Sequence, residues 1–206
     1  MTLPLGSIYI VTAPSGAGKT SLVNALIERV PEAALSVSHT TRSPRPGEVD
    51  GRHYHFIDDA RFQRMVERGE FLEHATVFGK NYGTALAAVN ELREQDRDVI
   101  LEIDWQGARQ VHQAIPESIG IFILPPGLDV LEQRLRGRGK DAPEQVARRL
   151  SEARLEMSHH AEFEYLVIND DFETALNDLV AIVHSNRLRT AVQRQRHAAL
   201  IDNLLD

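Results

Sequence analysis

The chain of 206 residues contains no cysteine, which removes disulfides, thiolate metal ligands and cysteine nucleophiles and fits a reducing compartment. It also lacks an excess of positive charge. Lys and Arg number 23 against 30 Asp and Glu, a formal net charge of -7. No overall field therefore draws it to nucleic acid or an anionic membrane, and any polyanion must be held by a local cluster. The first residues hold no basic segment followed by an apolar run, and no apolar stretch approaches the roughly 20 residues of a spanning helix. The expectation is a cytoplasmic protein with neither nucleic acid nor membrane as partner. The composition is not skewed either: 42% hydrophobic and 26% charged residues exclude a disordered or low-complexity chain. The length suits one ordinary domain, or a core carrying small inserted lobes, and the sequence has no internal repeat.

What is present begins with Ile8-Tyr9-Ile10-Val11, a continuous apolar run of the kind a parallel sheet covers on both faces. It stops at the loop from Ala13 to Gly18, and apolar residues then recur at helical spacing through Leu22, Leu26 and Val30 until Pro31. The alternation resumes, with strands expected at 98–104, 119–124 and 165–169 and crossover helices at 84–95 and 106–115. The fold class is thus α/β, a doubly wound parallel sheet. Two stretches break the pattern. Residues 36–83 read as short strands and turns around one helix, Asp58 to Arg68, with Phe62, Met65 and Val66 on its inner face. Residues 128–160 read as two helices joined by 137–141, with Pro143 in the first turn of the second. The core would then comprise 6–35, 84–127 and 161–206. Its last part, 171–205, reads as one or two long helices, interrupted or bent near Ser185-Asn186.

The strongest motif is Ala13-Pro14-Ser15-Gly16-Ala17-Gly18-Lys19-Thr20, which matches the P-loop in every defining position except the first, where Ala13 replaces glycine. Such a loop turns successive backbone N–H groups inward around a phosphate, and the following helix presents its positive dipole end to the same anion. Lys19 would reach the β- and γ-phosphates and Thr20 would ligate Mg²⁺. The competing reading, a turn that merely joins strand to helix, has the strand before, the helix after and the intact Gly-Lys-Thr against it. A nucleoside triphosphate and Mg²⁺ are implied, which leaves a motor, a switch GTPase or a small-molecule kinase. The Asn-Lys-x-Asp signature of a switch GTPase is absent.

A second constellation, Ser36 to Glu48, is followed by Gly51-Arg52-His53-Tyr54. Prolines stiffen the segment that holds Arg42 and Arg45 three residues apart, so the two can form a fixed fork for a doubly charged phosphate, with Tyr54 adding a hydroxyl donor. Two arginines alone would read as a solvated basic loop; their company reverses that.

These motifs together, with F-x-E, Y-G-T, D-W-Q-G, the R-x-x-x-R pair and V-I-N-D, resemble the bacterial guanylate kinases of the P-loop nucleoside monophosphate kinase family, in register from about Gly6 to His184. The resemblance implies transfer of the ATP γ-phosphate to GMP with Mg²⁺, a core, a GMP-binding lobe at 36–83 and a lid at 128–160. Carried over by position, Arg42, Arg45, Tyr54 and Tyr82 would hold the GMP phosphate. Ser38, Glu73 and Thr84 would read guanine, with Glu102 near it. Arg134, Arg138 and Arg149 would neutralise transferred charge from the lid together with Lys19 and Arg42, while residues 13–20 and Asn169 would hold ATP. For Asp170 a helix cap rivals an adenine contact. Asp104, at the end of an expected strand, could join the Mg²⁺ shell through water.

Glu73 has its own physical rationale, because a carboxylate accepts from guanine N1–H and N2–H₂ together, whereas adenine presents a bare N1 acceptor. A site built around a buried hydrogen-bonding group rejects the analogue lacking it by roughly 10⁴-fold or more. Without the resemblance, the rival and weaker reading of Glu73 is a strand residue pointing to solvent. Departures from the family pattern are Glu102, where aspartate is usual, and Lys80-Asn81 before Tyr82. No general base is needed, since the acceptor phosphate, with a second pKa of about 6, is already mostly ionised. His53, His55, His159 and His160 invite a metal reading that no ligand spacing supports. Trp105 reads as packing between strand and helix, and the arginines from 187 to 196 read as a polar helix face, with oligomer contacts left open. Two other functions stay open: a kinase for a different phosphorylated acceptor, and a non-catalytic phosphopeptide-binding domain of the same shape.

Overall fold

The computed structural model describes residues 6–77, 79–137 and 143–206, without the side chains of residues 137 and 143–145. Five parallel strands form the main sheet in the order β2 (Ala33–Leu35), β7 (Asp98–Glu102), β1 (Ile8–Thr12), β8 (Ile119–Leu124), β9 (Tyr165–Ile168). The continuous apolar runs are needed because both faces are covered, and side chains alternate across the sheet. Tyr9 and Val11 face α1 (Lys19–Arg29) and α7 (Phe172–Arg187), packing with Leu22, Leu26, Leu176 and Leu179. Ile8 and Ile10 face the opposite layer, α3 (Leu86–Glu94) and α4 (Trp105–Ala114), through Val89, Ala108 and Val111. β1 lies between β7 and β8, so the loops at the C-terminal ends of β1 and β7 open into one crevice, where open α/β sheets bind ligands.

The first inserted stretch folds as a four-stranded sheet, β4 (His55–Phe56), β3 (His39–Thr40), β6 (Lys80–Ala85), β5 (Phe71–Val77), with α2 (Asp59–Glu67) against it. Asp58 caps α2 by accepting from Arg61 N–H at 2.6 Å, and Phe62 is its buried anchor. The second stretch is the helical pair α5 (Leu128–Gly137) and α6 (Pro143–Met157), closed by Leu131, Leu135 and Ala153.

Three expectations are corrected. Thr84 and Ala85 end strand β6 rather than opening a helix, because Thr84 pairs with Glu73 across the β5–β6 ladder. The sheet has an additional edge strand, β2, too short to show a pattern. The C-terminal segment is three helices, α7, α8 (Thr190–Arg196) and α9 (Ala198–Leu205), and α7 continues past Ser185-Asn186 to Arg187. Asn186 is tolerated inside it because the helix buries its side chain, which donates to Ile182 O at 2.9 Å.

Candidate active site

The P-loop follows β1, and its glycines meet a backbone requirement: Gly16 and Gly18 have φ of 94° and 96°, values that residues with a Cβ rarely adopt. Gly18 is the left-handed residue before α1, whose first N–H groups have no side-chain cap. This is the end at which an anion is favoured. Behind the loop, Asn169 is 4% exposed, and its amide donates to Ala17 O at 2.7 Å. Lys19 donates to Ile103 O at 3.2 Å, keeping its ammonium beside the loop.

Two carboxylates stand at the C-terminal end of β7, Glu102 as its last residue and Asp104 just beyond it. Glu102 Oε1 accepts from the Thr20 hydroxyl at 2.5 Å. Asp104 caps α4, accepting from Gly107 N–H at 2.9 Å and from the Gln106 amide at 3.0 Å. The inserted sheet faces these groups. Glu73 is 3% exposed, accepts from the Thr84 hydroxyl at 2.6 Å, and Thr84 meets the Ser38 hydroxyl at 3.4 Å. Burial pushes the Glu73 carboxyl up to about 7, against the pull of the Thr84 hydrogen bond.

Arg42 is gripped by Glu48 through two hydrogen bonds of 2.8 and 2.9 Å, and Glu48 also accepts from Arg45 N–H at 2.6 Å. One carboxylate thus sets the loop that carries both arginines, and it raises the Arg42 pKa while Arg42 lowers its own. The Arg42 guanidinium lies 5.4 Å from the Tyr54 ring centre. Burial and the Glu102 charge push the Tyr54 hydroxyl up to about 12, so it remains a donor at neutral pH.

A cleft of about 230 Å³ joins the P-loop to Ser38, Arg42, Arg45, Tyr54, Glu73, Tyr82, Glu102 and Asp104. Most of the expected site is therefore gathered in one place, with differences at the margins. Asn169, expected at ATP, is buried against the back of the loop and braces it. Glu102, expected near guanine, lines the same cleft and accepts from the Thr20 hydroxyl. Asp104, expected at Mg²⁺, has its oxygens engaged by α4. Asp171 rather than Asp170 caps α7, accepting from Thr174 N–H at 2.8 Å. Arg134 donates to Asn169 O at 3.2 Å, and its Nη1 is buried without a hydrogen-bond partner among the described residues. Arg149 is half-buried on α6, and neither arginine is among the described residues lining the cleft. Arg138 lies outside the described residues.

Sequence reasoning missed two residues. Glu48 closes the Ser36–Glu48 segment, where its position alone assigns it no role. Glu156, on α6, places Oε2 3.0 Å from Ser15 N, so a carboxylate of the chain accepts a P-loop N–H. Burial raises its pKa. Trp105, expected to pack where the strand meets its helix, opens α4 half-exposed, stacks on His159 with ring centres 3.8 Å apart and lies 4.5 Å from the Arg109 guanidinium. His159 and Arg109 both engage Glu162, and the other histidines singled out from the sequence have protein contacts of their own.

The oxygen donors available to a divalent cation beside the P-loop are Thr20 and Glu102. Hydroxyl and carboxylate oxygens beside a phosphate seat suit Mg²⁺, which keeps several waters and takes one or two protein oxygens. Among the described residues no three His, Cys, Asp or Glu side chains gather into a cage, and no described helix is long and apolar enough to cross a membrane.

A parallel sheet with a P-loop at its central strand, facing a second lobe with an arginine fork and a buried carboxylate, defines a P-loop nucleoside monophosphate kinase. The guanylate kinase family model matches residues 6–186. The chain is 56% identical to the guanylate kinase of Alkalilimnicola ehrlichii over 200 residues, covering 97% of this chain and 98% of that one. It is 54% identical to that of Escherichia coli K12 over 202 residues, with the same coverage. The crystal structure of guanylate kinase from Anaplasma phagocytophilum superposes with a TM-score of 0.77 at 30% identity, covering 92% of this chain and 90% of the other. The chain belongs to the guanylate kinase family.

Proposed function

We propose that the chain transfers the γ-phosphate of ATP to GMP, giving ADP and GDP, in the cytoplasm. The observation that carries this reading is the buried Glu73–Thr84–Ser38 chain, opening on the same cleft as Lys19. Ionised Glu73 accepts from guanine N1–H and N2–H₂, Thr84 holds its carboxylate and Ser38 meets Thr84, and the two hydroxyls offer further polar contacts to the base. A sugar phosphate or phosphopeptide has no base edge to justify burying such a carboxylate.

Residues 36–85 act as the GMP lobe and 128–160 as the lid. Arg42 and Arg45, set by Glu48, take the GMP phosphate, with Tyr54 and Tyr82 donating from the lobe. That phosphate attacks as an oxyanion, so the protein's task is positioning and charge neutralisation rather than proton abstraction. Residues 13–20 cradle the ATP phosphates, Lys19 reaches the β- and γ-oxygens, and Arg134, Arg138 and Arg149 close from the lid and exclude water. Thr20 and Glu102 would hold Mg²⁺, which when bound neutralises charge on the β- and γ-phosphates.

The test is ADP release with ATP and Mg²⁺ against GMP, AMP, UMP, CMP and ribose 5-phosphate as separate acceptors. Turnover with GMP alone is expected. Turnover only with another acceptor, or none with phosphopeptide binding in its place, would overturn the reading.

A further inference from the structure

Gly107 occupies the third position of α4, directly above the Asp104 cap. Glycine inside a helix is less stable than alanine, and its usual justification is missing, since Gly107 is not among the residues with positive φ. The reason lies on the neighbouring strand β5. A Cβ built on Gly107 would stand 2.4 Å from Glu73 Oε2 and 3.0 Å from Glu73 Cδ. The space of one missing methyl is therefore the seat of the Glu73 carboxylate, whose other oxygen is held by Thr84.

We propose that Gly107 is a specificity-determining positioning residue: by lacking a side chain it sets how deeply the Glu73 carboxylate seats in the guanine pocket. The inference rests on the reading that Glu73 recognises guanine. The atoms that meet the added methyl belong to the far end of a flexible side chain, so Gly107→Ala is relieved by moving Glu73, and the framework is kept. The oxygen has to shift by roughly 1 Å to regain van der Waals distance, a displacement that at a reacting or recognition site can cost about 10²-fold.

The experiment compares Gly107→Ala, Glu73→Ala and the double variant, with kcat and KM for GMP, AMP and ATP and thermal unfolding of each. Expected for Gly107→Ala is a GMP KM raised at least tenfold, a GMP-over-AMP preference reduced about 10²-fold, an unchanged ATP KM, and a Tm equal to or above that of the parent. In the Glu73→Ala background, Gly107→Ala should add nothing, because the group it acts through is gone. Parental GMP kinetics in Gly107→Ala, an equal further loss in the double variant, or failure of Gly107→Ala to fold would each overturn the proposal. Glu73→Ala retaining the full GMP-over-AMP preference would instead overturn the guanine reading of Glu73, and the role of Gly107 with it.

Discussion

Replacing Glu73 by glutamine should change how stability depends on pH, with a magnitude set by burial. The Glu73 carboxyl is raised from an ordinary 4.5 to about 7, and each pKa unit is worth about 1.4 kcal/mol. Between pH 4.5 and 7 the folded protein holds a proton here that the unfolded chain has lost, so stability falls as pH rises through this window. The loss totals about 3 kcal/mol, reached slightly above pH 7 and constant beyond. A glutamine amide does not titrate in this range. The stability of Glu73→Gln relative to the parent should therefore climb by about 3 kcal/mol from pH 4.5 to 7.5 and then level, whatever constant offset the altered Thr84 contact introduces. Groups that titrate alike in both proteins, such as His39, cancel in the difference. Urea unfolding of both proteins at half-unit steps from pH 4.5 to 8.5 measures it. A difference that is flat with pH, or that falls as pH rises, would refute the argument from burial.

Arg42→Met removes the two guanidinium hydrogen bonds to Glu48 and one arm of the phosphate fork; kcat/KM for GMP should fall about 10²-fold or more, while binding of a non-hydrolysable ATP analogue, read by calorimetry, stays as it was. Glu156→Gln replaces an anion that sits on a P-loop N–H, the seat an ATP phosphate needs. The analogue should bind about tenfold tighter, the scale of one charge-assisted hydrogen bond weakened to a neutral one, and unchanged or weaker binding would discount the contact. Asp98 is wholly buried, pairs with Arg187 and accepts from Ser7 N–H. Arg187→Met strands that charge and should cost about 3–5 kcal/mol in urea unfolding, whereas a loss under about 1 kcal/mol would mean that water reaches Asp98.

The parts of this site legible in the sequence are those that local chemistry specifies. Gly16, Gly18, Lys19 and Thr20 are adjacent, and their strand and helix are continuous apolar patterns on either side. Arg42 and Arg45 sit in one short stiffened loop. What stayed hidden depends on pairs far apart in the chain. Glu156 meets Ser15 across 141 residues, and neither position carries a motif. Glu102 and Asp104 alternate onto one strand face, yet β7 ends at Glu102 and α4 starts at Trp105, so Asp104 becomes a cap and Glu102 alone reaches Thr20. Thr84 read as a helix start because apolar periodicity follows it, and only pairing with β5 shows it to be strand. The meaning of Gly107 is legible only once Glu73 is seen across from it.

Trp105 is the chain's single tryptophan, and it stacks on His159, two residues beyond the end of α6. The core therefore carries the indole and the trailing end of the proposed lid carries the imidazole, so the stack spans the junction where the two would move. Tryptophan emission comes from one indole, and a stacked imidazole can quench it. Substrate-driven movement of the helical pair, as proposed, would become an intensity change that stopped-flow fluorescence can follow without an attached dye. The molecule would then carry an optical gauge of the proposed closure.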